Sequence, residues 1–593
     1  MKKEYSIAFL IIMITGLAFV MLSGSVFSGY HFMDCSNYIK WKQDLSEMSW
    51  MQCLIKHING DTGLRFRPAW QLNTLLSTLL FGDNMLLQGF RQIFLNIIAA
   101  FLIYLLGRRI RWTHGESLLF AGISLIGAQS AVFYQTITIE PMALIMLILS
   151  WLSVTGYFNS GDEIKKTVWY AGFIFFSLWA ALMRENFILA LPASYIFYCM
   201  QYQEKYNTGF YKTVTHTLKT GLFLLLAAIV CLWAVFKFVG ESGGLGYAGV
   251  SLSSGIFTYL KSAVYLYGIS GCILAFAGFL ILYLRNKKAF LNESLFPVLL
   301  FLAITVPQII IYGKSNIIDR YLIPAITGCA YFSIYIYREL RKQDKSIHES
   351  LWKNISLVLG IAVLAFCSMI VFYTPLQEEI VRRAVHLQGE VVQKMTSVSS
   401  LQYLTSSLTI IGITGIIIGC ALLIWGVWKK NNSIWSLSKL YIGAFLLILF
   451  MNAGLAFASC KRYAMRGFAT ENFLKTIINH SHSGDAILVA GNPGSDMEAL
   501  YSGIPVYLHN QNRANLFFYS VTGNSQGEEF ISQILKDSYN NQDINAIENK
   551  EKVQIVAILP GSETFFANNN DWFKVNSFDR YEFTGNYVVY VKK

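Results

Sequence analysis

The sequence predicts a polytopic α-helical membrane protein that crosses the bilayer about thirteen times and carries an α/β domain at its C-terminal end. Of its 593 residues, 54% are hydrophobic and only 14% are charged, whereas soluble domains carry about 25% charged residues. The apolar residues form repeated runs of about 17–25 residues, which are long enough to cross the hydrocarbon core as helices. These runs are continuous rather than alternating, which disfavours a β-barrel.

Basic residues orient the predicted spans. The spans cover residues 6–27, 85–106, 117–134, 140–158, 168–183, 186–200, 220–239, 262–284, 294–311, 321–337, 354–373, 407–428 and 440–459. With the N-terminus in the cytoplasm, every presumed inner segment is rich in Lys and Arg, as the positive-inside rule requires. An odd number of spans then puts the C-terminal tail outside the cell membrane. This pattern explains the net charge of +12, so we do not read that charge as nucleic-acid binding.

Three regions are predicted along the chain. Residues 1–373 form a membrane module with one long outer loop at 28–84. Residues 374–459 form an outer helical segment and two further spans, and residues 460–593 form an extracytoplasmic α/β domain. Within the first loop, the mixed apolar and polar faces of Ile39–Ile58 and Trp70–Phe81 predict helices at the membrane interface.

Short apolar segments in the tail predict an α/β arrangement. Ala486–Ala490, Val506–Leu508, Val553–Leu559 and Tyr587–Val591 resemble strands, and Ser495–Ser502 resembles a helix.

The nine cysteines are scattered, and most fall within spans, where they act as small apolar residues. Cys35 and Cys53 share the first outer loop and are a candidate disulfide pair. We find no metal-ligand spacing in the sequence and assign no metal ligands.

Charged residues at the predicted outer ends of the helices are the most informative feature for function. They occur in the segments His31–Tyr38, Arg65–Trp70, Glu140–Pro141, Arg184–Asn186 and Lys314–Pro324. Charges at such depths are costly and usually face a wet cavity or one another. The spans on either side of Arg184 are predicted to be short, which favours a cleft open to both the outside and the lipid.

Each of these residues also has a structural explanation. Arg65 could extend to lipid headgroups, and Arg184 could pair with its neighbour Glu185. Glu140 before a proline is a good helix start. Asp34 has the weakest structural explanation, because no obvious helix follows it for the side chain to cap.

Together these residues predict a chemistry. An acidic group beside an apolar cleft can act as a general base, and clustered arginines can hold a phosphate through charge-assisted bonds. A substrate with a lipid tail and a phosphate head needs this combination.

The order and sidedness of these motifs resemble the GT-C superfamily of integral-membrane glycosyltransferases, especially the protein O-mannosyltransferases and the lipid A aminoarabinose transferases. Those enzymes have an acidic motif at the start of a long first outer loop, which in the aminoarabinose branch reads Asp-Glu-x-x-Tyr and is similar to Asp34–Tyr38. A later Lys-Pro-Pro element is similar to Arg67–Ala69, and an Arg-Tyr-x-x-Pro element is similar to Arg320–Pro324. Glu140 falls where oligosaccharyltransferase relatives have a second acidic motif.

The resemblance covers roughly residues 1–340 and departs from the family pattern at two positions. Cys35 replaces the second acid of the Asp-Glu pair, which argues against a paired-carboxylate or metal role there. Arg67 replaces lysine, which keeps the charge and changes its geometry.

The resemblance implies a sugar donor on a polyprenyl phosphate in the bilayer and an extracytoplasmic glycan, lipid or protein acceptor. It implies catalysis by Asp34 as general base, with Glu140 as helper acid or ligand of an optional divalent cation, and donor-phosphate binding by Arg67, Arg184 and Arg320. The further cleft candidates are His31, Tyr38, Arg65, Glu185, Lys314, Asp319 and Tyr321.

Three other functions stay open at this stage. A transporter or flippase usually shows paired repeats and charges near the bilayer midplane, which this sequence lacks. A lipid-linked glycan polymerase or ligase would move whole oligosaccharides, so the size of its product would distinguish it. A receptor or assembly scaffold would act through its tail, and partner binding by the tail would reveal it.

Overall fold

Helices dominate the fold, as the long apolar runs predict. The computed structural model describes residues 2–32, 35–62, 66–125, 139–240, 294–312, 323–343, 410, 412–415, 441, 460–461, 463–491, 503–513, 515–520, 553–559, 572–579 and 586–592. The helices are α1 (Lys2–Ser23), α2 (Cys35–Glu47), α3 (Trp50–Thr62), α4 (Pro68–Phe81), α5 (Met85–Arg109), α6 (His114–Leu125), α7 (Glu140–Asn159), α8 (Glu163–Met183), α9 (Glu185–Ile188), α10 (Leu191–Tyr206), α11 (Phe210–Gly240), α12 (Leu295–Tyr312), α13 (Ile323–Gln343), α14 (463–479) and α15 (Ile504–Asn510).

The described part of the chain contains helices of membrane-spanning length. Five of them are long and apolar enough to cross a bilayer, namely Lys3–Ser23, Met85–Arg109, Glu140–Asn159, Glu163–Met183 and Phe210–Lys237, and Leu295–Gln308 is a shorter apolar helix. Their outer faces are apolar: Ile14, Leu22 and Phe94 are more than half exposed. Apolar side chains in such numbers on a helix surface are stable in lipid and not in water, so this is a membrane protein.

Apart from 262–284, the predicted spans between residues 6 and 337 overlap the described helices, and several of their bounds differ. The predicted span 186–200 falls on two helices, because α9 ends at Ile188 and α10 begins at Leu191, and the predicted span 220–239 is part of α11, which begins at Phe210. The predicted span 168–183 is part of α8, which begins at Glu163 and has 21 residues. The expectation of a short span here is wrong, because Asp162 caps the helix by accepting a hydrogen bond from the Ile164 backbone N–H at 2.9 Å. The predicted spans 262–284 and 354–373, and most of 407–428 and 440–459, lie outside the described residues, as does the outer helical segment before them.

Ion pairs between helix ends define one end of the bundle, here called the basic end. Arg108 at the end of α5 lies 3.5 Å from Glu4 at the start of α1. Arg338 and Arg341, near the end of α13, lie 3.1 and 3.7 Å from the Glu116 carboxylate of α6. These residues come from segments predicted to face the cytoplasm, so the alternation of spans brings those segments to a common end.

The opposite end, here called the loop end, is where α1 ends and α5 and α7 begin. The chain leaves α1 through a short 3-10 turn at Ser25–Phe27, whose Val26 packs against Gly89 in the first turns of α5. A Cβ at Gly89 would lie 3.3 Å from the Val26 carbonyl oxygen, so the two segments approach closely. The first loop and the polar helix termini predicted to form the cleft belong to this end.

The first loop is helical, as its amphipathic pattern predicts. The predicted helix 39–58 is two helices, α2 and α3, because the chain turns at Met48 and Ser49. The predicted helix 70–81 is α4, which starts earlier at Pro68, a residue that suits the first helical turn. The expectation that no helix follows Asp34 is wrong, since α2 begins at Cys35.

The tail contains a five-stranded sheet of order β2-β1-β3-β5-β4. Its strands are β1 (Ala486–Gly491), β2 (Leu516–Ser520), β3 (Val553–Ile558), β4 (Trp572–Asp579) and β5 (Asn586–Lys592). The pairs β1–β2 and β1–β3 are parallel, and β3–β5 and β4–β5 are antiparallel. All six residues of β1 are buried, as a central strand with both faces covered requires.

Three of the four predicted tail strands are present, as β1, β3 and β5, and the fourth is wrong. Residues 506–508 belong to α15, where Pro505 lies in the first turn. Ile504 and Leu508 are fully buried and four positions apart, which is a helical rather than a strand period. The predicted helix 495–502 lies outside the described residues.

The candidate disulfide in the first loop does not form. Cys35 and Cys53 are both buried thiols. Cys35 belongs to the main apolar core, whereas Cys53 packs with Trp41 and Leu75 in a separate cluster between the loop helices. Cys35 lies on α2 and Cys53 lies on α3, and the turn at Ser49 separates these two helices. The two thiols therefore lie in different apolar clusters.

Candidate active site at the loop end of the helix bundle

A buried ion pair joins two helix termini at the loop end. Glu140 is the first residue of α7, and Arg184 is the extended residue between α8 and α9. Arg184 Nη1 donates to Glu140 Oε1, and the two side chains are 3% and 0% exposed. Charges this deep are costly unless they are compensated, and this contact brings two opposite charges together.

Two buried amides extend this cluster toward α12. Gln308 Nε2 donates to the backbone oxygen of Asn186 at 2.6 Å, and both side chains are fully buried. Gln308 follows Pro307, which lies inside α12 and removes a backbone N–H from the helix. The contact ties the turn between α8 and α9 to the last turn of α12. The predicted site segment 314–324 therefore continues from a helix end that touches this cluster.

A second polar cluster lies between the first loop and α5. Arg91 Nη1 donates to the Tyr38 hydroxyl at 3.1 Å and also to Ser77 Oγ of α4. Ser77 donates in turn to Gln88 Oε1 at 2.6 Å. Tyr38 is fully buried, so Arg91 holds the first turn of α2 against α4 and α5.

Arg67 occupies the N-cap position of α4. Its carbonyl oxygen accepts the backbone N–H groups of Trp70 and Gln71 at 3.1 and 3.2 Å, and its side chain is half-buried. The following Pro68 has no N–H to satisfy and favours a helix start here. The helix N-terminus and the guanidinium together give this position positive charge.

The tail packs directly against the beginning of the first loop. The Tyr30 backbone N–H donates to Glu471 Oε2 on α14 at 3.0 Å, and the Tyr30 hydroxyl donates to the Gly503 carbonyl at 2.8 Å. Its ring lies 4.7 Å from that of Tyr507 on α15. The tail thus holds Tyr30, which lies four positions before Asp34 in the sequence.

His31 is enclosed at this contact. Its ring stacks on Tyr463 of α14 with centroids 3.8 Å apart, and Nε2 shares a hydrogen bond with Ser28 Oγ at 2.8 Å. Burial, and then the nearby positive charge of Arg466, hold the pKa of His31 well below its usual range. The imidazole is therefore neutral at physiological pH and acts as a packing and hydrogen-bonding group.

The whole-chain architecture matches two solved structures from Cupriavidus metallidurans. One is ArnT bound to undecaprenyl phosphate, with a TM-score of 0.55 at 11% sequence identity over 98% of this chain and 97% of that chain. The other is ArnT in the apo state, with a TM-score of 0.53 at 10% identity and the same coverage. The chain shares its fold with ArnT. No protein-family model matches the sequence, and no curated protein sequence matches it.

The shared fold with ArnT agrees with the architecture that the motif resemblance implies. The agreement extends over the tail as well as the helix bundle, whereas the sequence motifs covered only the first 340 residues or so.

Within the ArnT-like fold, the described residues include part of the predicted site. Glu140 and Arg184 are in contact, Tyr38 lies on Arg91, and Glu185 begins α9. The predicted site residues that lie outside the described part of the chain are Asp34, Arg65, Lys314, Asp319, Arg320 and Tyr321.

The sequence analysis missed two groups of residues in the first loop and its surroundings. Arg91 is a charge inside an apolar span, as the seventh residue of α5, and that position was itself a signal of a functional or structural role. Asp44, Cys53 and His57 offer one ligand atom each within 4.8 Å of one another. The sequence analysis did not single out this group because Asp44 belongs to α2 and the other two residues belong to α3.

Proposed function

We propose that this protein is a membrane glycosyltransferase that moves a sugar from a polyprenyl-phosphate donor to an extracytoplasmic acceptor. The observation that carries the proposal is the shared fold over 98% of the chain with ArnT, one structure of which is bound to undecaprenyl phosphate. The loop end, with buried charges and polar helix termini, is the part of this fold suited to a phosphate head whose lipid tail stays in the bilayer.

Asp34 is the proposed general base. Its carboxylate takes the proton from the acceptor as the acceptor oxygen bonds to the anomeric carbon, and the configuration at that carbon inverts. The bond from this carbon to the phosphate oxygen breaks, and its electron pair leaves with the lipid phosphate. A phosphate whose pKa is near 6 needs little protonation to leave, so it needs positive charge nearby instead.

Arginines supply that charge in the proposed mechanism. Arg320 and Arg67 contact the donor phosphate, and the position of Arg67 at the start of α4 adds the partial positive charge of the helix N-terminus. Arg184 is the third candidate. Its charge is balanced by Glu140 in the structure, so phosphate binding there requires the carboxylate to release part of its contact. Glu140 then serves as the helper acid or as the ligand of a divalent cation.

Described contacts hold the chain on both sides of the proposed base in sequence. Tyr30, four positions before Asp34, is held by the tail, and Tyr38, four positions after it, is held by Arg91. General-base catalysis requires a positioned base, which these contacts favour. In this proposal the tail organises the outer rim of the site, while the bilayer delivers the donor laterally.

Complementation of a deletion strain tests the proposal. Cell-surface glycans lost on deletion return with the unmodified chain and with Lys342→Ala, an exposed change at the basic end. Asp34→Asn lowers transfer by about 10²–10⁴-fold, because the amide cannot take the proton. Arg320→Ala lowers transfer through loss of phosphate stabilisation. Unchanged glycans on deletion, or full transfer by folded Asp34→Asn, would show that the proposal is wrong.

A further inference from the structure

Helices α2 and α3 of the first loop bring three side chains of different ligand type together. Cys53 and His57 are four positions apart on α3 and therefore lie on one face of that helix. Asp44 on α2 faces them across the helix pair. The thiol sulfur, an imidazole nitrogen and a carboxylate oxygen all lie within 4.8 Å of one another.

The three side chains are partly enclosed and held in orientation. Cys53 is fully buried, and the side chains of Asp44 and His57 are 15% and 18% exposed. The His57 ring stacks on Trp41 with centroids 3.8 Å apart and an interplanar angle of 14°. Leu75 of α4 packs with Trp41 and Cys53 in one apolar cluster, so the ligands lie beside apolar side chains.

We propose that Asp44, Cys53 and His57 form a zinc site. A sulfur, a nitrogen and an oxygen donor suit Zn²⁺, whereas Mg²⁺ and Ca²⁺ take oxygen ligands. Zinc prefers four ligands in a tetrahedron, so three protein ligands leave one position for water or another donor.

The contact between His57 and Asp44 needs only a small adjustment to accept the ion. His57 Nε2 lies 2.7 Å from Asp44 Oδ2. Bonds of about 2.0–2.1 Å from a tetrahedral zinc place such atoms about 3.3 Å apart, so the two helices separate by a fraction of an ångström. Lys56 Nζ lies 2.7 Å from the other oxygen, Asp44 Oδ1, and keeps that contact when Oδ2 binds the metal.

A metal ion at this site would link α2 to α3 across the turn at Met48 and Ser49. Bound metal stabilises the folded loop because the unfolded segment offers no preformed site. This proposal is independent of the proposed glycosyl transfer, since none of its ligands belongs to the candidate active site.

Cobalt substitution tests the site on the purified full-length protein in detergent after chelator treatment. Co²⁺ added at one equivalent produces a thiolate-to-cobalt charge-transfer band and the visible bands of a tetrahedral ion, and Zn²⁺ abolishes both. Zn²⁺ also raises the thermal midpoint of the unmodified protein. A protein that shows neither the charge-transfer band nor the shift in midpoint overturns the proposal.

Matched variants identify the ligands. Cys53→Ser loses the charge-transfer band, whereas Cys199→Ser, a change at another buried cysteine, keeps it. Loss of an outer contact to a metal ligand weakens binding by about 10–100-fold, so loss of the ligand itself in Asp44→Asn or His57→Gln should weaken it by at least about 100-fold. A band that persists in folded Cys53→Ser excludes this site.

Discussion

At the scale of single residues, the Glu140–Arg184 pair shows how charge is kept inside this bundle. Both side chains are almost fully buried, yet they come from helix termini 44 positions apart. The low dielectric strengthens their attraction and also makes removal of one partner costly. Glu140 further benefits from its place at the first position of α7, where the helix dipole favours a negative charge.

We expect Glu140→Gln to destabilise the protein by about 3–5 kcal/mol, because it leaves the Arg184 charge without this carboxylate. Arg184→Met should lower the free energy of unfolding by a similar amount. The double variant should recover part of the loss, since it removes both charges together. Thermal unfolding of the four proteins in detergent gives the coupling energy of the cycle. Strictly additive effects would mean that the pair contributes nothing as a pair.

At the scale of elements, glycines set how closely some of the helices approach. Gly328 on α13 faces Ile304 on α12, and a Cβ at this position would lie 2.0 Å from Ile304 Cγ2. Ile304 is fully buried, so its side chain cannot move aside into lipid. Small residues at helix contacts allow this close packing in a bilayer, where apolar side chains gain little by leaving lipid.

Replacement of Gly328 by alanine should therefore lower stability by about 1–3 kcal/mol through overpacking. Gly115 on α6 is the matched control, because a Cβ there meets no atom within 4 Å. Gly115→Ala should leave the thermal midpoint unchanged or raise it, since alanine favours the helix more than glycine does. Equal midpoints for the two variants would contradict the packing argument.

At the scale of the whole molecule, the tail and the membrane module are joined at the start of the first loop. Tyr30 contacts α14 through Glu471 and α15 through Tyr507. His31 stacks on Tyr463 of α14, and the Phe32 ring lies 6.0 Å from that of Tyr587 on β5. Residues more than 400 positions apart thus share one core. This arrangement makes the tail part of the structural support of the first loop.

The close approach of α14 to this loop can be tested at Gly467. A Cβ there would lie 2.4 Å from both His31 Nε2 and the Ser28 carbonyl oxygen. We expect Gly467→Ala to push α14 away, to lower stability by about 1–3 kcal/mol and to expose the tail to limited proteolysis. Asn472→Ala, at an exposed position of the same helix, should show neither effect. If the tail resists proteolysis equally in both variants, the contact of Gly467 with His31 and Ser28 does not hold α14 in place.

Local sequence patterns predict much of the helical architecture. Continuous apolar runs predict helices such as α5 and α7 because the bilayer requires every backbone polar group to be satisfied within the segment. Alternation of basic segments predicts which helix ends meet, and the contact between Arg108 and Glu4 agrees with it. Errors arose where length alone was ambiguous, as at residues 506–508, where a short apolar run fits either a strand or one helical face.

The sequence by itself determined the membrane class, the positions of the described spans, and the resemblance of its short motifs to the GT-C superfamily. Only the tertiary structure decided that Arg184 contacts Glu140, that Arg91 holds Tyr38, and that Asp44 meets Cys53 and His57. The physical reason is that hydrophobicity and charge asymmetry are summed along a segment and can be read locally. A contact between two side chains depends instead on helix rotation and crossing, which the packing of many other residues sets together.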